Sequence, residues 1–144
     1  MFKSIAIPID LRHLDQMQRA LAVGADLARH FGATITYLSA TPSAPSSVAR
    51  TPEQFAQKLQ AFAAEQFPDG AVRTETHSFI VNDPTGDLDH ALLEEIRTLD
   101  PDLVIMASHR PGVGDYFWPS HGGRIASHAP ATVMLVREDV ELSG

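Results

Sequence analysis

The chain has 144 residues, 44% of them hydrophobic, a formal net charge of −7 and no cysteine. That length and apolar content suit one domain spanning residues 1–144 with one core, and argue against wholesale disorder. The missing cysteines exclude disulfides, thiolate chemistry and cysteine-based metal sites, and an acidic chain without a basic tract is a poor non-specific binder of nucleic acid.

The opening stretch MFKSIAIPID has one Lys and an apolar run that Asp10 interrupts, too brief for a secretory leader. No stretch approaches the length of a membrane span, so no membrane association is expected and the cytoplasm is the expected location. Within that stretch SIAIPI predicts a buried strand ending near Asp10, with Pro8 at its end because proline has no ladder donor. Leu14, Met17, Leu21, Ala25, Ala28 and Phe31, with Leu27 beside them, form a helical stripe, and Gly32 stands at the natural C-cap. Residues 33–40 predict a second strand, and the Ser- and Pro-rich stretch 41–50 an irregular loop. Thr51, Pro52 and Gln54 make a helix start, followed by Phe55, Leu59, Phe62 and Ala63 on one face, with Pro68 and Gly70 beyond the end.

Residues 72–81 predict a third strand whose mixed polarity points to a sheet edge. NDPTGD turns into a third helix with Leu88, Leu92, Ile96 and Leu99 on one side, and Asp100–Pro101 ends it. DLVIMAS is a near-continuous apolar run of the kind covered on both faces. A short helix over 120–129 is expected to turn Ile125 and Ala126 inward, and ATVMLV (131–136) to form a fifth strand. This alternation predicts an open, mostly parallel α/β sheet with helices on both faces, a fold that binds ligands at the carboxyl ends of its strands where the strand order reverses.

Candidate functional residues lie at those strand ends. Asp10 can accept hydrogen bonds from a ribose hydroxyl or a base amino group, or it can cap the turn that follows. Ser120 can cap the last helix while the amides of His121, Gly122 and Gly123 face an anion; the plainer alternative is an ordinary cap with glycines for close packing. Arg110 and Arg124 are candidates for a small basic patch. The seven histidines show no H-E-x-x-H pattern and no i,i+4 pair, so no metal site is expected. No G-x-S-x-G elbow, P-loop or G-x-G-x-x-G turn is present, and Ser108–His109 are adjacent without a triad's geometry, so no catalytic residue is assigned. Tyr116, Phe117 and Trp118 form an aromatic run that can act as a lid, a partner surface or a pinned flap.

Four stretches in order, KSIAIPID, ALAVGADLARHFGATITYLSATP, DPDLVIMASHRP and RIASHAPATVMLVR, span nearly the whole chain and resemble the universal stress protein family. The form ASHRPG…DYF resembles its small bacterial single-domain branch. The resemblance implies a doubly wound five-stranded sheet of order 3-2-1-4-5 and a homodimer formed through the strand at 131–136. It also implies binding of ATP, with Mg as its companion, or of another adenine nucleotide, by a protein with a signalling or protective role in stress. Carried over residue by residue, the site comprises Pro8, Ile9 and Asp10 after the first strand, Ala40 and Thr41 after the second, Ala107, Ser108, His109 and Arg110 after the fourth, and Ser120, His121 and Gly122 at the last helix.

Three positions depart from the family pattern. Ala107 replaces a glycine, Arg110 takes the second glycine position, and Pro119–Ser120 stands where the family has Gly-Ser or Gly-Thr. Pro119 has no N–H, so one phosphate donor is missing, and about a 10- to 100-fold weaker nucleotide site is expected. The alternative is a nucleotide-independent dimeric module that meets an unidentified protein partner through residues 111–119. Slow ATP hydrolysis would need His109 or His121 as base.

Overall fold

The computed structural model describes residues 1–108 and 122–138. Five strands alternate with helices: β1 (Ser4–Pro8), α1 (Gln18–Phe31), β2 (Thr34–Thr41), α2 (Pro52–Gln66), β3 (Thr74–Ile80), α3 (Pro84–Leu99), β4 (Leu103–Ser108), α4 (Gly122–His128) and β5 (Thr132–Arg137). A 3-10 turn at Leu14–Gln16 leads into α1. All pairings are parallel, in the order β3-β2-β1-β4-β5, so the order expected from the family resemblance is the one observed. The direction of winding reverses between β1 and β4. Residues Leu14, Leu21, Ala25 and Phe62 of the α1 and α2 region border one open groove, while α3 packs on α4.

The core is an aliphatic layer on both sides of the sheet. Ile5, Ile7 and Ile9 of the first strand region, Ile35 and Leu38 of β2, and Leu103, Ile105 and Met106 of β4 are fully buried, together with Leu92 and Ile96 of α3. Every residue of β4 is buried, as its unbroken apolar run requires. Tyr37 belongs to this core, edge-on to Phe62 at 5.1 Å between ring centroids, and burial pushes its phenol up to about 12. The mixed strand β3 lies at one edge of the sheet, as its polarity predicts.

Local signals explain the helix ends. The Thr51 hydroxyl accepts the Gln54 amide at 3.1 Å, while the Gln54 side chain accepts the Arg50 amide at 2.7 Å, a near-reciprocal cap. Gly32, with φ 67°, ends α1, and Asp100, with φ 49°, ends α3 immediately before the buried Pro101. The 41–50 loop is tied to the body at several points. The Ser43 amide and hydroxyl both donate to the Asn82 side chain, and the Lys58 ammonium donates to the Val48 carbonyl.

Two expected faces are corrected. On α1 the deepest residues are Ala20, Gly24 and Ala28, with Met17 before them, whereas Leu21 and Ala25 are only half-buried along the open groove. Small side chains hold the inner line because α1 lies very close to β1: a Cβ on Gly24 would stand 2.5 Å from Ile7 Cδ1. On α4, Ile125 is fully buried and Ala129 half-buried, but Ala126 is exposed. One residue is a rotation of roughly 100° around a helix, so Ile125 shares its inward face with the residue four on, not with its neighbour.

Candidate functional site

Hydrogen-bond direction along β1 builds the site. The Lys3 carbonyl accepts from Thr34 of β2, the Ser4 carbonyl accepts from Asp102 ahead of β4, and the Ile9 amide donates to Leu38 of β2. Backbone groups of a strand alternate sides, so Ser4, Ala6 and Pro8 face β4 while Lys3, Ile5, Ile7 and Ile9 face β2. Pro8 therefore turns toward β4 the one nitrogen in the strand that has no hydrogen to donate. The β1–β4 register ends at Ala6↔Val104, two residues short of the β1–β2 register, which runs to Pro8↔Leu38. The ladder thus stops where the winding reverses, the place at which folds of this kind open a ligand crevice beyond the carboxyl ends of the strands.

The residues around this crevice are held firmly. The buried Ser39 hydroxyl donates to the Ile9 carbonyl at 2.6 Å, fixing the chain as it leaves β1. Thr41 is buried at the end of β2, its carbonyl accepting the Val81 amide, and Ala40 is half-buried beside it. Ala107 is fully buried in the core, and Ser108 ends β4 with its carbonyl accepting the Glu138 amide at 2.9 Å. At the start of α4, a Cβ added to Gly123 would meet no described residue within 4 Å. His109, Arg110, Ser120, His121 and the aromatic run lie outside the described residues.

Asp10 follows the carboxyl end of β1. Its Oδ1 accepts the Arg12 amide at 2.9 Å, making a tight turn, and also the Arg12 Nε at 3.3 Å. Its Oδ2 lies 3.2 Å from both Arg12 Nη2 and His13 Nδ1. Of the two readings of Asp10, these contacts are those of the turn cap, at the carboxyl end of β1.

One participant was not visible in the sequence. The Glu138 carboxylate crosses to the first turn of α1, accepting the Arg19 amide at 2.9 Å and the Ala20 amide at 2.7 Å, while the Arg19 guanidinium donates to the Arg137 carbonyl. In dinucleotide folds the helix after the first strand receives the pyrophosphate. Here an internal carboxylate already fills that position, in keeping with the absent G-x-G-x-x-G turn, and a phosphate has to be met elsewhere. No local signal marks Glu138, whose partners are 118 and 119 residues away in sequence. Glu138→Ala is expected to lower folding stability by about 1–2 kcal/mol, the value of a charged helix cap, measured by urea unfolding.

Among the described residues, Arg124, His77 and His128 have structural partners. Arg124 Nε lies 3.6 Å from Asp89 Oδ2 on α3, His77 pairs with Glu95 at 2.5 Å, and His128 faces the Arg124 carbonyl. Among the described residues no group of three or more His, Asp or Glu is placed to hold a metal ion, and no helix is long and apolar enough to cross a membrane.

A parallel sheet wound in both directions from β1 and β4, with its crevice at the reversal, is a doubly wound α/β protein of the kind that receives ligands at the strand ends. A profile of the Universal stress protein family matches residues 1–137, and the chain belongs to that family. Solved structures of relatives share the fold at low identity. The universal stress protein UspA of Lactobacillus plantarum is 18% identical, with 94% of this chain and 98% of that one covered and a TM-score of 0.66. An Arabidopsis thaliana universal stress protein family protein with AMP bound is 18% identical, covering 94% and 91%, with a TM-score of 0.64. The universal stress protein of Archaeoglobus fulgidus in complex with dAMP is 15% identical, covering 93% and 97%, with a TM-score of 0.62.

Proposed function

We propose that this chain binds an adenine nucleotide, ATP with Mg as the finer reading, in the crevice between β1 and β4, and acts in a stress response through its bound state. The observation that carries the reading is the β1–β4 ladder, which ends at Ala6, two residues short of Pro8, where the winding reverses, with the Asp10 carboxylate just beyond the strand. Asp10 receives the nucleoside, with Pro8, Ile9, Ala40 and Thr41 beside it. Ala107 and Ser108 bring the end of β4 to the site, and the family pattern assigns His109 and Arg110 to it and the phosphates to the amides of Ser120, His121 and Gly122. The relatives that hold AMP and dAMP support the same assignment. The amide missing at Pro119 weakens the site without removing it.

Calorimetric titration of Mg-ATP and of AMP into nucleotide-free protein tests this. Saturable binding, one nucleotide per chain, is the expected result; no heat of binding up to about millimolar nucleotide rejects the reading.

The active form is a homodimer joined through β5. That strand is a sheet edge with Leu135 40% exposed, and an apolar edge of this kind calls for a partner strand. Light scattering is expected to give the dimer mass, and Leu135→Lys to give monomer. A monomer mass for the unmodified chain at micromolar concentration contradicts the assignment.

A further inference from the structure

We infer that Arg12 is an internal competitor for the proposed nucleoside site: its guanidinium occupies the Asp10 carboxylate where a nucleoside's donors belong, so a nucleoside binds only by displacing it. This rests on the reading that Asp10 receives the nucleoside. A carboxylate offers roughly four lone-pair sites. On Asp10 all are engaged, by the Arg12 amide and Nε at Oδ1, at 2.9 and 3.3 Å, and by Arg12 Nη2 and His13 Nδ1 at Oδ2, both at 3.2 Å. A ribose hydroxyl or a base amino group finds no free acceptor until one of these donors leaves.

The geometry identifies which donor leaves. The Arg12 amide is part of the backbone turn, and the His13 ring sits on a backbone held by its own amide, which donates to the Asp10 carbonyl at 3.0 Å, with its side chain only 24% exposed. The Arg12 guanidinium has no such anchor. Its side chain is 53% exposed, while that of Asp10 is 13% exposed. It can swing into water with its charge solvated, and it gives up two hydrogen bonds as it goes, one from each carboxylate oxygen. Two incoming donors from a nucleoside replace them. Free nucleoside therefore binds against an internal competitor worth a modest factor, since an ion pair this exposed is weak.

Adenosine is the probe that isolates the effect. It carries no charge, so changing Arg12 alters its binding through Asp10 and not through attraction to phosphate. Arg12→Ala is expected to bind adenosine about two- to fivefold more tightly than the unmodified chain, with Arg12→Lys in between because it keeps the charge without the fork. In an Asp10→Ala background the Arg12→Ala change is expected to have no effect, and circular dichroism is expected to show every variant folded.

An Arg12→Ala protein that binds adenosine no more tightly than the unmodified chain, while both bind ATP, overturns the competitor and leaves the nucleotide crevice standing. The same gain with and without Asp10 also overturns it. Absence of adenosine, AMP and ATP binding in the unmodified chain and in every Arg12 variant removes the nucleotide reading and the competitor together.

Discussion

Gly24→Val is expected to cost about 3 kcal/mol of folding stability, the upper end for forcing atoms into a packed core. Helix α1 crosses β1 at Gly24, where a Cβ would lie 2.5 Å from Ile7 Cδ1 and 3.6 Å from Ile105 Cδ1. Both isoleucines are fully buried, so neither has a vacant neighbourhood to move into. Valine adds two methyl groups beyond the Cβ and is stiff at χ1, which removes the rotations that relieve a smaller clash. Gly24→Ala separates the terms, because alanine gains about 1 kcal/mol of helix propensity against its steric cost. Combining Gly24→Ala with Ile7→Ala removes the atom that clashes, and the double variant is expected to lose at least about 1 kcal/mol less than the sum of the two single losses. Urea unfolding followed by circular dichroism measures all of these. A Gly24→Val protein within about 0.5 kcal/mol of the unmodified chain contradicts the close approach of α1 to β1.

Asp10→Ala is expected to weaken adenine-nucleotide binding by about 10- to 100-fold, with the fold retained. A hydrogen bond to a charged acceptor is worth about 1.5–3 kcal/mol, and each 1.4 kcal/mol is a factor of ten in affinity. The loss belongs toward the lower end if the carboxylate must first be released from Arg12. The same substitution removes the turn held by the Arg12 amide, so thermal unfolding measured beside the titration separates a lost ligand contact from a loosened loop. Unchanged affinity in a folded Asp10→Ala protein removes Asp10 from the site.

Much of the fold was legible because its signals are local. An unbroken apolar run such as 103–107 has few uses outside a covered strand, and Thr51 caps its helix through a residue three positions on. The inner face of α1 was not legible in the same way. Leu21 is the more hydrophobic residue, but Ala20 and Gly24 are the ones small enough for the distance at which α1 lies from the sheet. That distance is set by packing, not by the helix itself.

The candidate site shows the same division. Pro8 and Asp10 were readable as a strand end, but which neighbour Pro8 fails to reach depends on the register of three strands. The grip of Arg12 on Asp10 lies only two residues away in sequence, yet its consequence emerges only when all the contacts to one carboxylate are counted. Glu138 reaches across the whole chain to α1, a contact that no local pattern encodes.

The most direct test of the crevice is amide chemical-shift mapping of the labelled protein as AMP is added. The predicted result is saturable shifts concentrated at Asp10, Ala40, Thr41, Ala107, Ser108 and Gly123, around the carboxyl ends of β1, β2 and β4 and the start of α4. Shifts centred instead on the open groove of Leu21, Ala25 and Phe62, or no shifts at all, would contradict the assignment of the nucleotide to the reversal between β1 and β4.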